Sequence, residues 1–394
     1  MYRITLPGRW FLSLTLLLFL DVSLFLDWHI AVPFIYAAVM WVVAWLVAMI
    51  YPPKVRLNAD LPTRVAVGAS APVSLRLKSI SKSPMVEITV LPMRLPPFID
   101  VVPEEGVKIQ ELLPNDEATV SLTLICRKRG LYILKGYRVE TAYPTGLLRA
   151  YSSIWQSAKL LVYPTFQPLS HITLPAGSRY HPGGVALASK IGDSMEYIGN
   201  REYREGDNVR DIDWRATARL TKPIVREYRE EYFYRVGVIQ DTFLGDNRSS
   251  HAADFERSIS ICAAVSDYMS REEYIVDLFA AGPNLYHLTA GRSLAFQDQM
   301  LDILACLEPA ALEPFQIIEP ELMENLSKLT IVICILLDWD PVRRNFVDRI
   351  RRISDVKVIV VRDANCTLDP AFDADSLSIS VIDRKTFEAG APVL

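Results

Sequence analysis

Cysteine is scarce in this 394-residue chain: Cys126, Cys262, Cys306, Cys334 and Cys366 are odd in number, and no two have CxxC spacing. Most lie in apolar runs and read as reduced, buried thiols, which argues against a disulfide framework, a zinc cluster or a dithiol redox site. The nucleotide-binding glycine motifs, Walker A and GxGxxG, are missing. So are HExxH and GxSxG, the marks of a zinc protease and of a serine hydrolase elbow. Five scattered histidines, His29, His171, His181, His251 and His287, single out no Cys/His nucleophile pair. Excess charge is lacking too. The formal net charge is −4, with no basic tail and no acidic block, so a nucleic-acid partner is not expected. No cofactor is expected either.

What the chain does have is apolar residues, 51% of the total. The excess sits at the start. Trp10 to Leu26 carries one charge, Asp21, and Ile30 to Ile50 carries none. Each is long enough to cross a hydrocarbon core of about 30 Å. Only Asp27, Trp28 and His29 separate them, so the pair reads as a transmembrane helical hairpin over residues 1–53. Arg3 and Arg9 precede the first span; Lys54, Arg56 and Arg64 follow the second. The turn has neither Lys nor Arg, so the positive-inside rule puts both termini and the soluble part in the cytoplasm, on the inner membrane. Asp21 lies nearer the outer end of its helix, where a carboxylate reaches the interface. A helix–helix contact or a proton relay is the alternative.

From Val55 the rhythm changes to period two. Val65 and Val67, then Val73, Leu75 and Leu77, then Val86, Ile88 and Val90 recur at every second position, with prolines at the joins. That is the pattern of strands with one buried face. It predicts an immunoglobulin-like β-sandwich over residues 54–165. The stretch RKRGLYILKGYRVETAYPTGLL, Arg127 to Leu148, reads as a hairpin of two strands followed by a turn at Pro144-Thr145-Gly146.

From Arg235 apolar strands alternate with helical patterns. RVGVIQD, YIVDLFAAG, LYHLTA, LTIVICILLD and VKVIVVRD read as strands; Phe255, Ile259 and Cys262 share one helical face, and Phe346, Ile350 and Ile353 another. Such alternation argues for a parallel, Rossmann-like sheet covered on both faces over residues 235–394. Ligands bind beyond the carboxyl ends of strands in such sheets, which puts Asp241, Asp338 and Asp363 at the rim where chemistry would occur.

Between sandwich and sheet, residues 166–234, lies the densest charge pattern. REYREGDNVRDIDWRATAR, Arg201 to Arg219, holds five arginines and five carboxylates, hence no net charge, which does not suit it to a phosphate backbone. Arginine offers planar, bidentate donors to carboxylates. Gly206 suits a turn with φ > 0, and Asp207 suits a helix cap. From Asp207 the run reads as one short helix with Val209, Ile212 and Ala216 inward. Trp214 is a large anchor beside Arg215. The block reads as an ion-pair platform packed on the sheet, a brace or a partner-binding surface. Its candidate residues are Arg201, Tyr203, Asp207, Arg210, Asp213, Trp214, Arg215 and Arg219. A hydrolase drawing on Glu202, Glu205, Asp207, Asp211 and Asp213 is the weaker reading, since arginine neighbours keep such acids ionised and no catalytic residue stands out.

These stretches resemble the domain-of-unknown-function-58 family. Its block reads roughly R-x-Y-x-x-G-D-x-x-R-x-I-D-W-x-x-T-A-R, matched here by Arg201, Tyr203, Gly206, Asp207, Arg210, Ile212, Asp213, Trp214, Thr217, Ala218 and Arg219. The resemblance implies a membrane hairpin, a β-sandwich and a C-terminal domain like von Willebrand factor A. It implies a MoxR-type AAA+ ATPase and a transglutaminase-like membrane protein as partners, and no enzymatic activity. The expected role is that of a membrane-anchored scaffold or adaptor. A metal-dependent binding module is the alternative. Metal-binding domains of that type carry Asp at a strand end with Ser two and four residues on. Here Asp241 is followed by Phe243 and Gly245, so the site is degenerate, with Asp338 the candidate second ligand. Without a metal, Asp241 is expected to cap a helix or pair with an arginine.

Overall fold

The structure is a computed structural model. It describes residues 2–25, 28–175, 196–229, 235–244, 251–272, 274–281, 285–290, 294–310, 315–374 and 378–389. The chain divides into two compact units, Met1–Tyr163 and Pro164–Leu394.

The first unit opens with a three-residue strand, β1 (Tyr2–Ile4), and two helices, α1 (Leu6–Phe25) and α2 (Trp28–Ile50). Both helices are long and apolar enough to cross a membrane, over Leu6–Leu24 at mean hydropathy 1.3 and Ala31–Ile50 at 2.2. They run antiparallel. Phe11 meets Trp41 and Phe19 meets Phe34, with ring centroids 6.1 and 5.6 Å apart. The Trp41 indole N–H donates to Thr15 Oγ1 at 3.3 Å. α1 starts four residues before the expected Trp10 because Thr5 supplies a cap: its hydroxyl accepts from the Gly8 N–H at 3.0 Å.

Nine strands follow: β2 (Val55–Asp60), β3 (Arg64–Ala66), β4 (Ser70–Ser79), β5 (Met85–Pro92), β6 (Ile99–Val102), β7 (Val107–Leu112), β8 (Glu117–Cys126), β9 (Gly130–Thr141) and β10 (Leu148–Tyr163). They form two sheets, in the orders β1-β10-β9-β5-β7, with β3 also on β10, and β2-β4-β8-β6. Alternate residues of β4, Ala71, Val73, Leu75 and Leu77, are buried against Ile88, Val90 and Val139 of the facing sheet. The period-two pattern thus marks the inner face of a sandwich. The expected hairpin inside Arg127–Leu148 is instead one twelve-residue strand, β9, whose hairpin partner is β10. Gly136 does not turn the chain. It sits at φ 137° where the β10 backbone presses in, and a Cβ there would lie 2.2 Å from the Ile154 carbonyl oxygen.

The second unit begins with an antiparallel pair, β11 (Glu196–Glu202) and β12 (Ile224–Arg229), with helix α3 (Trp214–Leu220) between them. An α/β sheet follows, built from β13 (Arg235–Gln240), α4 (Ala252–Arg271), β14 (Ile275–Ala281), β15 (Leu285–Ala290), α5 (Leu294–Cys306), α6 (Phe315–Leu326), β16 (Ile331–Leu336), α7 (Pro341–Arg351), β17 (Asp355–Val361) and β18 (Ser378–Ile382). Strand order is β15-β14-β13-β16-β17-β18. All neighbours are parallel except β15, which is antiparallel to β14. The connection from β14 to β15 is too short for a crossover, so the two close as a hairpin, a departure from the wholly parallel sheet expected. One face packs Val238, Leu278 and Ile333 against Phe255, Ile259 and Cys262 of α4. The other packs Ile239, Phe279 and Val358 against Phe346 and Ile350 of α7 and Ile318 of α6. Burial on both faces is why these strands read as unbroken apolar runs.

Candidate functional site

The arginine-rich block folds as a small unit on the β11–β12 pair. Arg201, near the end of β11, grips Asp207 through both terminal nitrogens, at 2.6 and 2.7 Å. The Arg204 N–H also donates to Asp207, at 2.7 Å. These bonds hold the Asp207 carboxyl at about 2, with the Arg201 hydrogen bond the largest cause. Gly206, at φ 105°, lets the chain turn between Arg204 and Asp207. β12 supplies two residues that sequence reasoning missed: Glu227, 3.6 Å from Arg201, and Arg226, 3.5 Å from Asp213. Their only local signal was a charged pair on an otherwise apolar strand. Lys222 pairs with Glu202 at 2.9 Å.

The single helix expected from Asp207 is absent. A short 3₁₀ turn, Val209–Asp211, is capped by Asn208, and the chain then breaks at Ile212–Asp213 before α3 begins. Asp213 causes the break. Its carboxylate accepts the N–H groups of Arg215 and Ala216, both at 3.0 Å, and so starts a new helix. Those bonds, led by that from Ala216, pull its carboxyl below the usual aspartate range. Asp207 caps nothing. Val209, expected inward, is 60% exposed. Only Ala216 of α3 is buried, with Ile224 and Val225 of β12. The Thr217 hydroxyl ties α3 to β12 by accepting from the Ile224 N–H at 3.0 Å.

The opposite surface of the block is open. Trp214 is 67% exposed, and Leu220 and Tyr203 are exposed beside it in sequence. Arg204, Arg210, Arg215 and Arg219 are exposed, and their side chains have no hydrogen-bond or ion-pair partner among the described residues. The structure thus splits the candidate residues in two. Arg201, Asp207 and Asp213 hold the block together, whereas Trp214, Arg210, Arg215 and Arg219 face outward.

At the rim of the large sheet, Asp241 ends β13 with no exposed surface. Its carboxylate accepts the N–H of Phe243 at 2.9 Å and of Leu337 at 3.0 Å. Its third donor is Arg343 Nε at 2.7 Å. That guanidinium, 4% exposed, also donates to the Phe243 carbonyl at 2.7 Å and to Asp340. It lies 5.8 Å from the rings of Phe243 and Phe315. Burial works against its charge, but Asp241 and Asp340 outweigh burial and raise its pKa further. Asp338 is spent elsewhere. It accepts from the Trp339 and Thr367 N–H groups, from the Thr367 hydroxyl at 2.6 Å and from Arg362 at 2.7 Å. Among the described residues no three His, Cys, Asp or Glu side chains are arranged to hold a metal ion. Gly245 lies outside the described residues.

An arginine-and-tryptophan block leading into a doubly wound sheet sets the class of this segment. Residues 199–362 match the family described as "Protein of unknown function DUF58", and over those residues the chain belongs to it. A Bacillus subtilis (strain 168) protein, "Uncharacterized protein YeaD", is 24% identical over 176 residues, 43% of this chain and 42% of that protein. The alignment therefore spans less than half of that relative. Among solved structures, a fragment of Escherichia coli alpha-2-macroglobulin from domain MG7 to the C-terminus is 17% identical, covering 30% of this chain and 18% of that one at TM-score 0.22. The CARDB domain of the PF1109 protein from Pyrococcus furiosus is 11% identical, covering 28% and 94% at TM-score 0.19. Likenesses this slight carry no argument; the sandwich rests on its own strand pairing.

Proposed function

We propose that this chain is a non-enzymatic scaffold or adaptor of the inner membrane. It is held by two transmembrane helices, with its folded part in the cytoplasm, and works with a MoxR-type AAA+ ATPase and a transglutaminase-like membrane protein. The observation that carries the reading is the outward face of the block: Trp214 with Arg210, Arg215 and Arg219, free of internal partners. Tryptophan and arginine are the residues that dominate binding energy at protein interfaces. Asp207, gripped by Arg201 and held at about 2, is unfit to donate a proton near neutrality, which weighs against the hydrolase reading. The strand order, with one antiparallel edge, supports a von Willebrand factor A-like domain for residues 235–394. The metal-dependent version is the poorer fit, because Arg343 already brings a cation to Asp241.

The test is a pull-down in detergent of the full chain with the MoxR-type ATPase expressed beside it. Trp214→Ala and Arg215→Ala alter exposed side chains, so the fold survives, and each is expected to reduce recovery tenfold or more, on the order of one hot-spot residue. Unchanged recovery with both would remove the block from the interface.

A further inference from the structure

The turn after β9, Thr-Ala-Tyr-Pro-Thr-Gly-Leu-Leu over residues 141–148, has no part in the function proposed above. In the structure it meets the helical hairpin. The Thr5 N–H donates to the Leu147 carbonyl at 3.0 Å, and the Thr5 hydroxyl donates to the Leu147 and Gly146 carbonyls. β1 pairs with the start of β10, Ile4 opposite Leu148 and Tyr2 opposite Ala150. Leu147 and Leu148 are buried with Ala44, against Phe11, Trp41 and Ala48. The Leu147 carbonyl sits where a Cβ on Gly8 would be, 2.2 Å away, so only glycine admits the turn this close to α1.

The depth of this contact follows from helix length. The apolar part of α1, Leu6–Leu24, has 19 residues. At about 1.5 Å per residue that is about 28 Å, so all of it is needed to cross a core of about 30 Å. Gly8, in the first turn, therefore lies at the edge of the hydrocarbon, and Leu147 lies beside it. The residues around that level are those that populate a membrane interface. Trp45 donates through its indole N–H to the Tyr2 hydroxyl at 3.0 Å, and both rings are exposed, as are Tyr51 and Arg9. On the turn itself Tyr143 is 54% exposed and Pro144 is exposed.

We propose that the turn Ala142–Leu148 is a membrane-interface foot. Leu147 and Leu148 lock the sandwich to the hairpin, and Tyr143 with Pro144 seats it in the headgroup layer of the bilayer. The sandwich is then held at a fixed attitude to the membrane. This rests on the reading that α1 and α2 span a bilayer, and the test separates the two.

The full chain, with Cys306 and Cys366 replaced by serine, is reconstituted in phosphatidylethanolamine–phosphatidylglycerol vesicles. A nitroxide is placed in turn at Tyr143→Cys, Pro144→Cys, Leu17→Cys and Lys159→Cys. Leu17 is exposed on α1, and Lys159 is exposed on β10, roughly 35 Å along the strand from Leu148. Relaxation by oxygen, which partitions into lipid, is compared with relaxation by a water-soluble nickel chelate. The expected oxygen-to-nickel ratio is several-fold higher at 143, 144 and 17 than at 159. Ratios at both 143 and 144 equal to that at 159, with a lipid-like ratio at 17, overturn the foot and leave the spans standing. A water-like ratio at 17 overturns both.

Discussion

Arg343 settles the electrostatics of the sheet rim, because a buried carboxylate needs a counter-charge and Asp241 has this one. Removing one partner of a buried pair leaves the other uncompensated, which typically costs about 3–5 kcal/mol. Arg343→Met is therefore expected to lower unfolding stability by about that much in a urea titration of the full chain in detergent, more than Arg344→Met at the half-exposed Asp373 pair next to it. The wild-type melting temperature is expected to be the same with and without millimolar Mg²⁺. A rise with Mg²⁺ would show a site that the guanidinium does not fill. The pairing itself was half legible. The strand-end acid and the missing hydroxyls at Phe243 and Gly245 stand together in the sequence, but the arginine is 102 positions away from Asp241, and no local pattern links them. Asp207 is the second residue-scale case. Its pKa is about 2 against 3.8 for a free aspartate. The folded value is the lower one, so its contribution to stability is complete above about pH 4 and fades as pH falls through about 2. A carboxyl-carbon titration by NMR is expected to place its midpoint near 2, and Asp207→Asn is expected to flatten the loss of stability between those limits. A midpoint near 3.8 would mean that the Arg201 grip is not formed.

Elements were legible where one force set the pattern. Apolar length gave the two helices, one buried face gave the period of β4, and two buried faces gave β13, β16 and β17. Elements were misread where two forces met. β9 looked like a hairpin because Lys135-Gly136 resembles a turn, but Gly136 is there to admit the β10 backbone. The φ of 137° and the 2.2 Å approach to Ile154 leave no room for a side chain. Gly136→Ala is expected to destabilise the first unit by about 2 kcal/mol or more, because the native conformation is one that only glycine adopts cheaply. Equilibrium unfolding measures it, with Gly68→Ala as the control, a positive-φ glycine with nothing within 4 Å. Equal costs at the two sites would mean that φ alone matters and the close approach does not. In the block, the apolar spacing of Val209, Ile212 and Ala216 suggested a single helix, and the carboxylate of Asp213 overrode it by capping a second. α6, with Pro320 in its interior, showed no pattern that marked it as a helix.

At the scale of the molecule, β1 ties the sandwich to the end of α1, and the Leu147–Leu148 contact ties it to the last turns of α2. The sandwich therefore stands on whichever side of a membrane those two helix ends occupy. Nothing in Tyr2–Ile4 announced a strand. Three residues carry no period, and their partner lies nearly 150 positions on, at Arg149 and Ala150. The side itself follows from charge. Lys and Arg flank the outer ends of both apolar stretches, at Arg3, Arg9, Lys54 and Arg56, and are missing from the turn between them. Cationic flanks stay in the cytoplasm, so the sandwich and all that follows it belong there. Alkaline phosphatase, which folds only outside the cytoplasm, is expected to be active when inserted between the two helices and inactive when fused after Leu394. A fluorescent protein that matures only in the cytoplasm is expected to show the reverse. Activity of the phosphatase at the second position would invert the orientation and remove any cytoplasmic ATPase from reach of Trp214.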